Sequence, residues 1–363
     1  MGLENRDTDD LLRELVSRGG SDLHLCAGLV PRIRLHGDLV PLSGWEELAD
    51  SEVRAMLRRH VPPHRLTEFE GRKDMRFAFE VQGVGRFRAS YFLHERGAAA
   101  VFRGVLGRVP SFKELGAPAV LERVCDLKRG LVLVAGPAGS GKTTTCAAMV
   151  ACIAQRRLEH IVTVEDPVEF VFSNTRSVVT QREVGTDTRD MTFGLRAAMR
   201  QDASVLMVGD LSDPSVVLLA LRAAEAGMLV IGTFTAHGAP RAIERLVSTF
   251  PSELRGQVRS RLAGSLCAVI SQVLLRTVDG RNRVAAFEVL LCTPSLPGII
   301  REGNEATLRS FIEGGGAVGM QSMDDALLAL AQKGVVQKEE AWALAFHKSR
   351  FAGLVKQGGQ GED

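Results

Sequence analysis

The chain has 363 residues, 45% of them hydrophobic and 24% charged, a composition that suits about two or three globular domains. Its formal net charge of +2, spread among interspersed acids and bases, gives no field for a polyanion, so no nucleic-acid partner is expected. No charged-then-apolar leader opens it, and no stretch approaches the roughly 18 uninterrupted apolar residues of a membrane span. VVLLALRAAEAGMLVIGTF is broken by Arg222 and Glu225, and a soluble cytoplasmic protein without an integral membrane segment is expected. The cysteines form no CxxC pair and no histidine-containing metal spacing, as suits buried thiols in a reducing compartment.

In chain order, the first hundred or so residues alternate a helix (DDLLRELVSRG), strand-like runs (SDLHLCA, PRIRLHGDLVPL), a second helix (SEVRAMLRRHV) and a pair of strands in DMRFAFEVQGVGRFRASYFLHERGAAAVFRGV, turning at Val81 to Gly85. This reads as an α+β module over 1–104. Arg86, Arg88, Arg96 and Arg103 alternate with apolar residues there, as an exposed strand face would. An arginine delivered to a nucleotide by another domain or subunit contributes on the order of 10³ in rate, so the group is a candidate for phosphate contact. GVLGRVPSFKEL then lacks periodicity and predicts a linker over 105–115.

From Pro118 the apolar runs LVLVAG, HIVTVED, SVLMVGD and MLVIGTF are each followed by a turn and a helical stretch, which predicts a parallel, helix-covered α/β sheet binding its ligand at the carboxyl edge. The first run ends in the glycine-rich loop Gly136, Pro137, Ala138, Gly139, Ser140, Gly141, Lys142, Thr143, Thr144 and passes into a helix. Glycines in a strand-to-helix turn let backbone N–H groups converge on an anion, and the helix N-terminus adds partial positive charge. Lys142 then reaches the outer phosphates and the Thr143 hydroxyl ligates magnesium, so ATP and Mg2+ are the expected ligands.

Glu165 and Asp166 follow the next strand and suit placement of a metal and a water beside a γ-phosphate. Asp210 ends SVLMVGD as a Walker B carboxylate would, a second metal candidate with Thr143, whereas Asp213 before Pro214 reads as a helix cap. His237 lies in the loop after MLVIGTF, at the same edge. Beyond Pro251 come a helix, a hairpin turning at Asp279-Gly280 and amphipathic helices; the ATPase domain is expected over 116–356, with a disordered tail at 357–363.

Taken together, SDLHLCAGLVPRIRLHGDLVPL, RFRASYF, ERGAAAVFR, GPAGSGKTTT, IVTVEDPVEF, QREVGTDT, LRAAMRQD, VISQVLL, RVAAFEVLL and GMQSMDDAL resemble the type IV pilus retraction ATPases, the PilT family of the secretion-ATPase superfamily, over nearly the whole chain. The resemblance implies a PAS-like N-terminal domain joined to a RecA-like P-loop ATPase domain. It also implies a homo-hexameric ring at the inner face of the cytoplasmic membrane, a pilus inner-membrane platform protein as partner, and ATP-driven retraction underlying twitching motility. By the same resemblance Glu165 is the general base toward water, Asp210 stands at the Walker B glutamate, and Arg96 and Arg103 match N-terminal-domain arginines that look toward the nucleotide.

The chain also departs from that pattern. Asp210 replaces Glu, Ser212 stands where the family has Arg, and Thr235 takes the slot of the family histidine, with His237 two residues later. Pro297 and Gly298 replace Arg and Asn in SLPGIIRE, and Ala203-Ser204 replaces Pro-Asp before the Walker B strand. These changes fall on hydrolysis and force transmission, so nucleotide binding is expected to survive them better than turnover. The leading reading is a motor ATPase; its alternative is an accessory ring subunit, mixed with an active paralogue, that binds nucleotide and turns over little. Assembly and type II secretion ATPases usually carry an added N-terminal domain and a tetracysteine metal site, and this sequence is expected to have neither.

Overall fold

A computed structural model describes residues 7–35, 37–61, 63–105 and 107–355. The tail expected at 357–363 lies outside the described residues. The chain divides into two compact units, one running to Arg108 and taking in Asp166–Val171 and Glu183–Asp187, the other holding Val109–Glu165, Phe172–Arg182 and the residues from Thr188 on.

In the first unit the strands are β1 (Asp22–Cys26), β2 (Arg32–Leu35), β3 (Asp38–Pro41), β4 (Asp74–Val81), β5 (Gly85–His94) and β6 (Gly97–Val105), and the helices are α1 (Thr8–Ser17), α2 (Asp50–Arg58) and α3 (Pro63–Arg72). They form an antiparallel sheet in the order β3-β2-β1-β6-β5-β4. The segment expected as a pair of strands is three, because the chain reverses a second time at Glu95-Arg96, where Gly97 takes φ 132, a backbone state that favours glycine. Alternate residues of β5 turn inward, and Phe77, Phe87, Tyr91 and Phe102 pack edge-on or tilted with Phe79 into an aromatic core. Helix α1 is fixed by a reciprocal cap: the Asp7 carboxylate accepts from Asp10 N–H and the Asp10 carboxylate accepts from Asp7 N–H.

The second unit contains β7 (Gly130–Gly136), β8 (His160–Glu165), β9 (Val178–Glu183, its last residue in the first unit), β10 (Val205–Val208), β11 (Leu229–Thr235), β12 (Leu266–Arg276) and β13 (Arg283–Leu291). Its helices are α4 (Val120–Cys125), α5 (Lys142–Arg156), α6 (Met191–Ala198), α7 (Pro214–Glu225), α8 (Ala239–Ser248), α9 (Ser252–Ser265), α10 (Leu296–Glu302), α11 (Glu305–Gly314), α12 (Met323–Gln332), α13 (Lys338–Leu344) and α14 (Ala352–Val355). The sheet order is β13-β12-β7-β11-β10-β8-β9, with β12, β7, β11, β10 and β8 parallel and β13 antiparallel to β12 through the hairpin at Asp279-Gly280. Every residue of β7 and β10 is buried, which is why these strands read as continuous apolar runs rather than alternating ones.

Phe112 is buried in the second unit's core with Val109 and Leu115 packed against it, so the end of the stretch read as a linker is anchored polypeptide. Among the described residues no helix is long and apolar enough to cross a membrane.

Candidate functional site

The glycine-rich loop joins β7 to α5, and the sheet register shows how its ends are held. Gly136 lies beside Thr235 of β11, and Ala135 lies beside Ser271 of β12. A Cβ at Gly136 would overlap Ser140 Oγ and the Gln272 carbonyl, so the loop closes on itself only with glycine there. Gly139 and Gly141 take φ 74 and 87, and Gly141 is the N-cap of α5, leaving that helix's first N–H groups without a side-chain cap. This is an anion cradle in form.

Lys142 Nζ donates to the carbonyls of Gly136 at 3.0 Å and Pro137 at 2.8 Å. An ammonium has three donors, so one remains for an anion. Burial holds this ammonium below the ordinary lysine range and the nearby Asp210 carboxylate opposes the shift. Pro137 and Thr143 and Thr144 are half-buried, while Ala138 and Gly139 are exposed at the crest.

Asp210 follows β10, exposed, and its Oδ1 accepts from Ser212 Oγ at 2.7 Å. The turn beneath it is tied to β11: Thr233 Oγ1 donates to Gly209 O at 2.5 Å and Leu211 N–H to Thr233 O at 2.9 Å. Asp213 accepts from Ser215 N–H and caps α7, with Pro214 at its first position.

Glu165 ends β8 and is 3% exposed. Its Oε1 accepts from Thr163 Oγ1 at 2.6 Å and faces Gln181 Nε2 at 3.4 Å. Burial pushes the thiol of Cys146 on α5 up, Glu165 adds to the effect and Lys142 opposes it, so both charges lie around the first turns of α5. Lys142, Asp210 and Glu165 therefore gather at the carboxyl edge of β7, β10 and β8. Among the described residues no group of three or more His, Cys, Asp or Glu could hold a metal ion. The Thr143 hydroxyl and the Asp210 oxygen not engaged by Ser212 are hard oxygen donors of the kind that would suit a magnesium ion completed by phosphate oxygens.

The other expected residues have surroundings of their own. His237 is exposed and lines a cavity of about 250 Å³ with Gly238, Glu288, Asp324 and His347, and no residue of the phosphate loop lines it. Arg103 Nε donates to Asp22 Oδ1 at 2.7 Å within the first unit, and Arg96, with a side chain 62% exposed, has Glu95 at 3.8 Å. Arg86 and Arg88, grouped with them by alternation, hold the segment after Glu165 instead: Arg86 Nε donates to Val168 O at 3.0 Å and Arg88 Nη1 to Glu169 Oε1 at 3.1 Å.

The residues that sequence reasoning passed over are Thr163, Thr145 and Gln272. Thr145 Oγ1 donates to Gln272 Oε1 at 2.8 Å, and Gln272 Nε2 donates to Ser140 O at 2.6 Å. The available signal was a polar pair, Ser271-Gln272, inside the otherwise apolar run AVISQVLL.

The profile of the family described as "Type II/IV secretion system protein" matches residues 5–323. The chain belongs to this family. Relatives within it include the type IV pilus retraction ATPase PilT of Pseudomonas aeruginosa, 43% identical over 335 residues, which are 92% of this chain and 97% of that protein. A twitching motility protein of Neisseria gonorrhoeae is 41% identical over 311 residues, 86% of this chain and 83% of that one. A solved structure of the pilus retraction motor PilT with bound ADP matches with a TM-score of 0.85 at 36% identity, covering 95% of this chain and 99% of that one. The likeness spans both sheets, so the α/β architecture with its N-terminal α+β unit is that of the family.

Proposed function

We propose that this protein is a pilus-retraction motor ATPase of the PilT kind, working as a homo-hexameric ring at the cytoplasmic face of the membrane against a pilus platform protein. The observation that carries the reading is the convergence of Lys142, Asp210 and Glu165 at one edge of the parallel sheet, around a loop shaped for phosphate. Relatives named for retraction and twitching motility support its biological side.

In this reading the loop from Gly136 to Thr144 binds the β- and γ-phosphates through backbone N–H groups, and Lys142 exchanges part of its bonding to loop carbonyls for phosphate oxygens. Thr143 and Asp210 would hold magnesium, which would supply charge stabilisation to the transferring phosphoryl group. Glu165 orients the attacking water and accepts its proton. Thr163, donating to one carboxylate oxygen, orients the carboxylate toward that task. Arg96 and Arg103 are proposed to supply cationic charge from the N-terminal unit, and His237 to act beside the cavity that it lines rather than on the phosphate loop.

The test is steady-state ATP hydrolysis by the full-length chain with Lys142→Ala and Glu165→Gln as references. Expected are turnover in the wild type, loss of nucleotide binding in Lys142→Ala, and retained binding with turnover lowered by about 10² or more in Glu165→Gln. Wild-type turnover no higher than that of Lys142→Ala overturns the motor reading. Deletion of the gene in its own organism is expected to leave piliated, non-twitching cells.

A further inference from the structure

We propose that Gln272 is a positioning residue for nucleotide binding: it locks the Ser140–Gly141 peptide plane so that the Gly141 N–H faces the phosphates. The inference rests on the nucleotide reading of the loop and adds to it a residue on another strand, β12, that touches no phosphate itself.

In a planar trans peptide the carbonyl and the following N–H point in opposite directions. The Ser140 carbonyl is taken by Gln272 Nε2 at 2.6 Å, so the Gly141 N–H of the same plane is turned away from β12. Nothing intrinsic to the loop enforces this orientation. Such a plane turns about ψ of Ser140 and φ of Gly141; Gly141 sits at φ 87, and glycine crosses between such states at little steric cost. A flipped plane would aim a carbonyl dipole, negative end first, at the site of the β-phosphate.

The amide itself has only one useful orientation. Thr145 Oγ1 donates to Gln272 Oε1 at 2.8 Å, and Thr145 N–H donates to Gly141 O at 3.0 Å, so the hydroxyl that orients the amide stands on the turn of α5 that the loop enters. An amide turned the other way would set Oε1 against the Ser140 carbonyl and Nε2 against a hydroxyl with its donor misdirected. Gln272, Thr145 and the Ser140 side chain are 2%, 1% and 2% exposed. In so dry a site a carbonyl deprived of its donor has no water to replace it, which makes the arrangement all-or-none. The backbone of Gln272 contributes too, since its carbonyl occupies the space that a Cβ on Gly136 would need.

Gln272→Met preserves the volume and removes both polar ends; Gln272→Glu keeps the acceptor for Thr145 and removes the donor for Ser140. Both are expected to weaken ADP binding by about tenfold or more, the cost of misdirecting one donor to a charged phosphate. In ATP hydrolysis KM should rise with kcat nearly kept, because the loop contacts are made in ground and transition states alike. The melting temperature without nucleotide should fall too, because the Ser140 carbonyl loses its donor in a dry site, so the readout that a merely structural role would not produce is the rise in KM, with kcat nearly kept, of variants assayed well below their melting temperatures.

The measurement is ADP titration of the full-length chain, wild type and variants. Wild type that binds no ADP overturns the nucleotide reading and this inference with it. Wild type that binds, with Gln272→Met and Gln272→Glu binding equally well, overturns the inference alone. If the Gln272 variants do not fold, Thr145→Val decides: released from its hydroxyl the amide can rotate, and undiminished ADP affinity in that variant removes the basis of the lock.

Discussion

Arg103 on β6 and Asp22 on β1 are register partners across an antiparallel pair, with Nε and Oδ1 at 2.7 Å. Asp22 is nearly buried, while the arginine side chain is 63% exposed, so the guanidinium is anchored at Nε with most of the side chain open to solvent. Burial alone would raise the Asp22 carboxyl, but hydrogen bonds from Ser21 and Arg103 outweigh it and hold the group below the usual carboxylate range. A depressed carboxyl contributes stability that is present above its unfolded pKa of about 3.9 and is lost as pH falls through the folded value. The stability difference between wild type and Asp22→Asn, followed by denaturant melts, should therefore shrink below about pH 4.

The same pair separates anchoring from catalysis. Asp22→Ala removes the anchor and keeps the cation; Arg103→Ala removes both. If Arg103 presents charge to a nucleotide, Arg103→Ala should lower kcat by at least about tenfold and Asp22→Ala by distinctly less. Equal losses in the two variants would mean that the arginine only holds β6 to β1.

Lys142 gives a signature with two opposite signs. Burial depresses its pKa and Asp210 only partly restores it, so without ligand the folded state gives up this proton at a lower pH than the unfolded chain does. Stability from this group therefore rises with pH across the window between the folded value and about 10.4. Phosphate affinity should fall across the same window, because the neutral amine no longer attracts an anion. Lys142→Met should show neither trend, and comparison with it isolates the lysine from other groups that titrate at alkaline pH. ADP affinity that is flat with pH up to about 10 in the wild type would contradict the assignment.

The phosphate loop, the parallel strands and the β12–β13 hairpin were legible because each carries its own local signal: an all-apolar strand, a glycine pattern, an Asp-Gly turn. Edge strand β9, VVTQRE, has no such signal, since only Glu183 of its residues is fully buried. Helix α3 was missed for a related reason, with Leu66 and Phe69 its apolar contacts to the core in PHRLTEFEGR. The first unit's claim on Asp166–Val171 and Glu183–Asp187 was invisible because Arg86 and Arg88 reach partners 82 and 81 residues away. Gln272 escaped in the same way: a strand residue is read by its neighbours in sequence, whereas its amide serves Ser140 and Thr145, which are 132 and 127 residues earlier.

Asp210 tests whether the chain's departures from its family slow it. Its carboxylate is one methylene shorter than the glutamate that the family resemblance places there, and Ser212 ties one of its oxygens at 2.7 Å. A misplacement of about 1 Å in a positioned group costs up to roughly 10² in rate. Asp210→Glu is expected to raise kcat, Asp210→Ala to abolish magnesium-dependent turnover, and Ser212→Ala to change kcat modestly by freeing the tied oxygen. Slower hydrolysis by Asp210→Glu would show that the surrounding turn, anchored by Thr233 and Leu211, has been refitted to the shorter side chain.

Glu288 on β13 is buried, and its Oε2 accepts the N–H of Ala239 at the start of α8, next to the loop that carries His237. Burial pushes its carboxyl up; Ala239 N–H, Arg309 and Met323 N–H oppose the shift, and Asp324 adds to it. A raised carboxyl contributes stability that is complete below the unfolded value of about 4.3 and is lost as pH rises through the folded value. Gln keeps the acceptor for Ala239 and carries no charge to desolvate. Glu288→Gln should thus equal the wild type near pH 4 and exceed it in melting temperature at pH 8, with the gap opening between these limits. A wild type that gains on the variant as pH rises would show instead that the ionised carboxylate, capping α8 and facing Arg309, stabilises the fold by more than its burial costs.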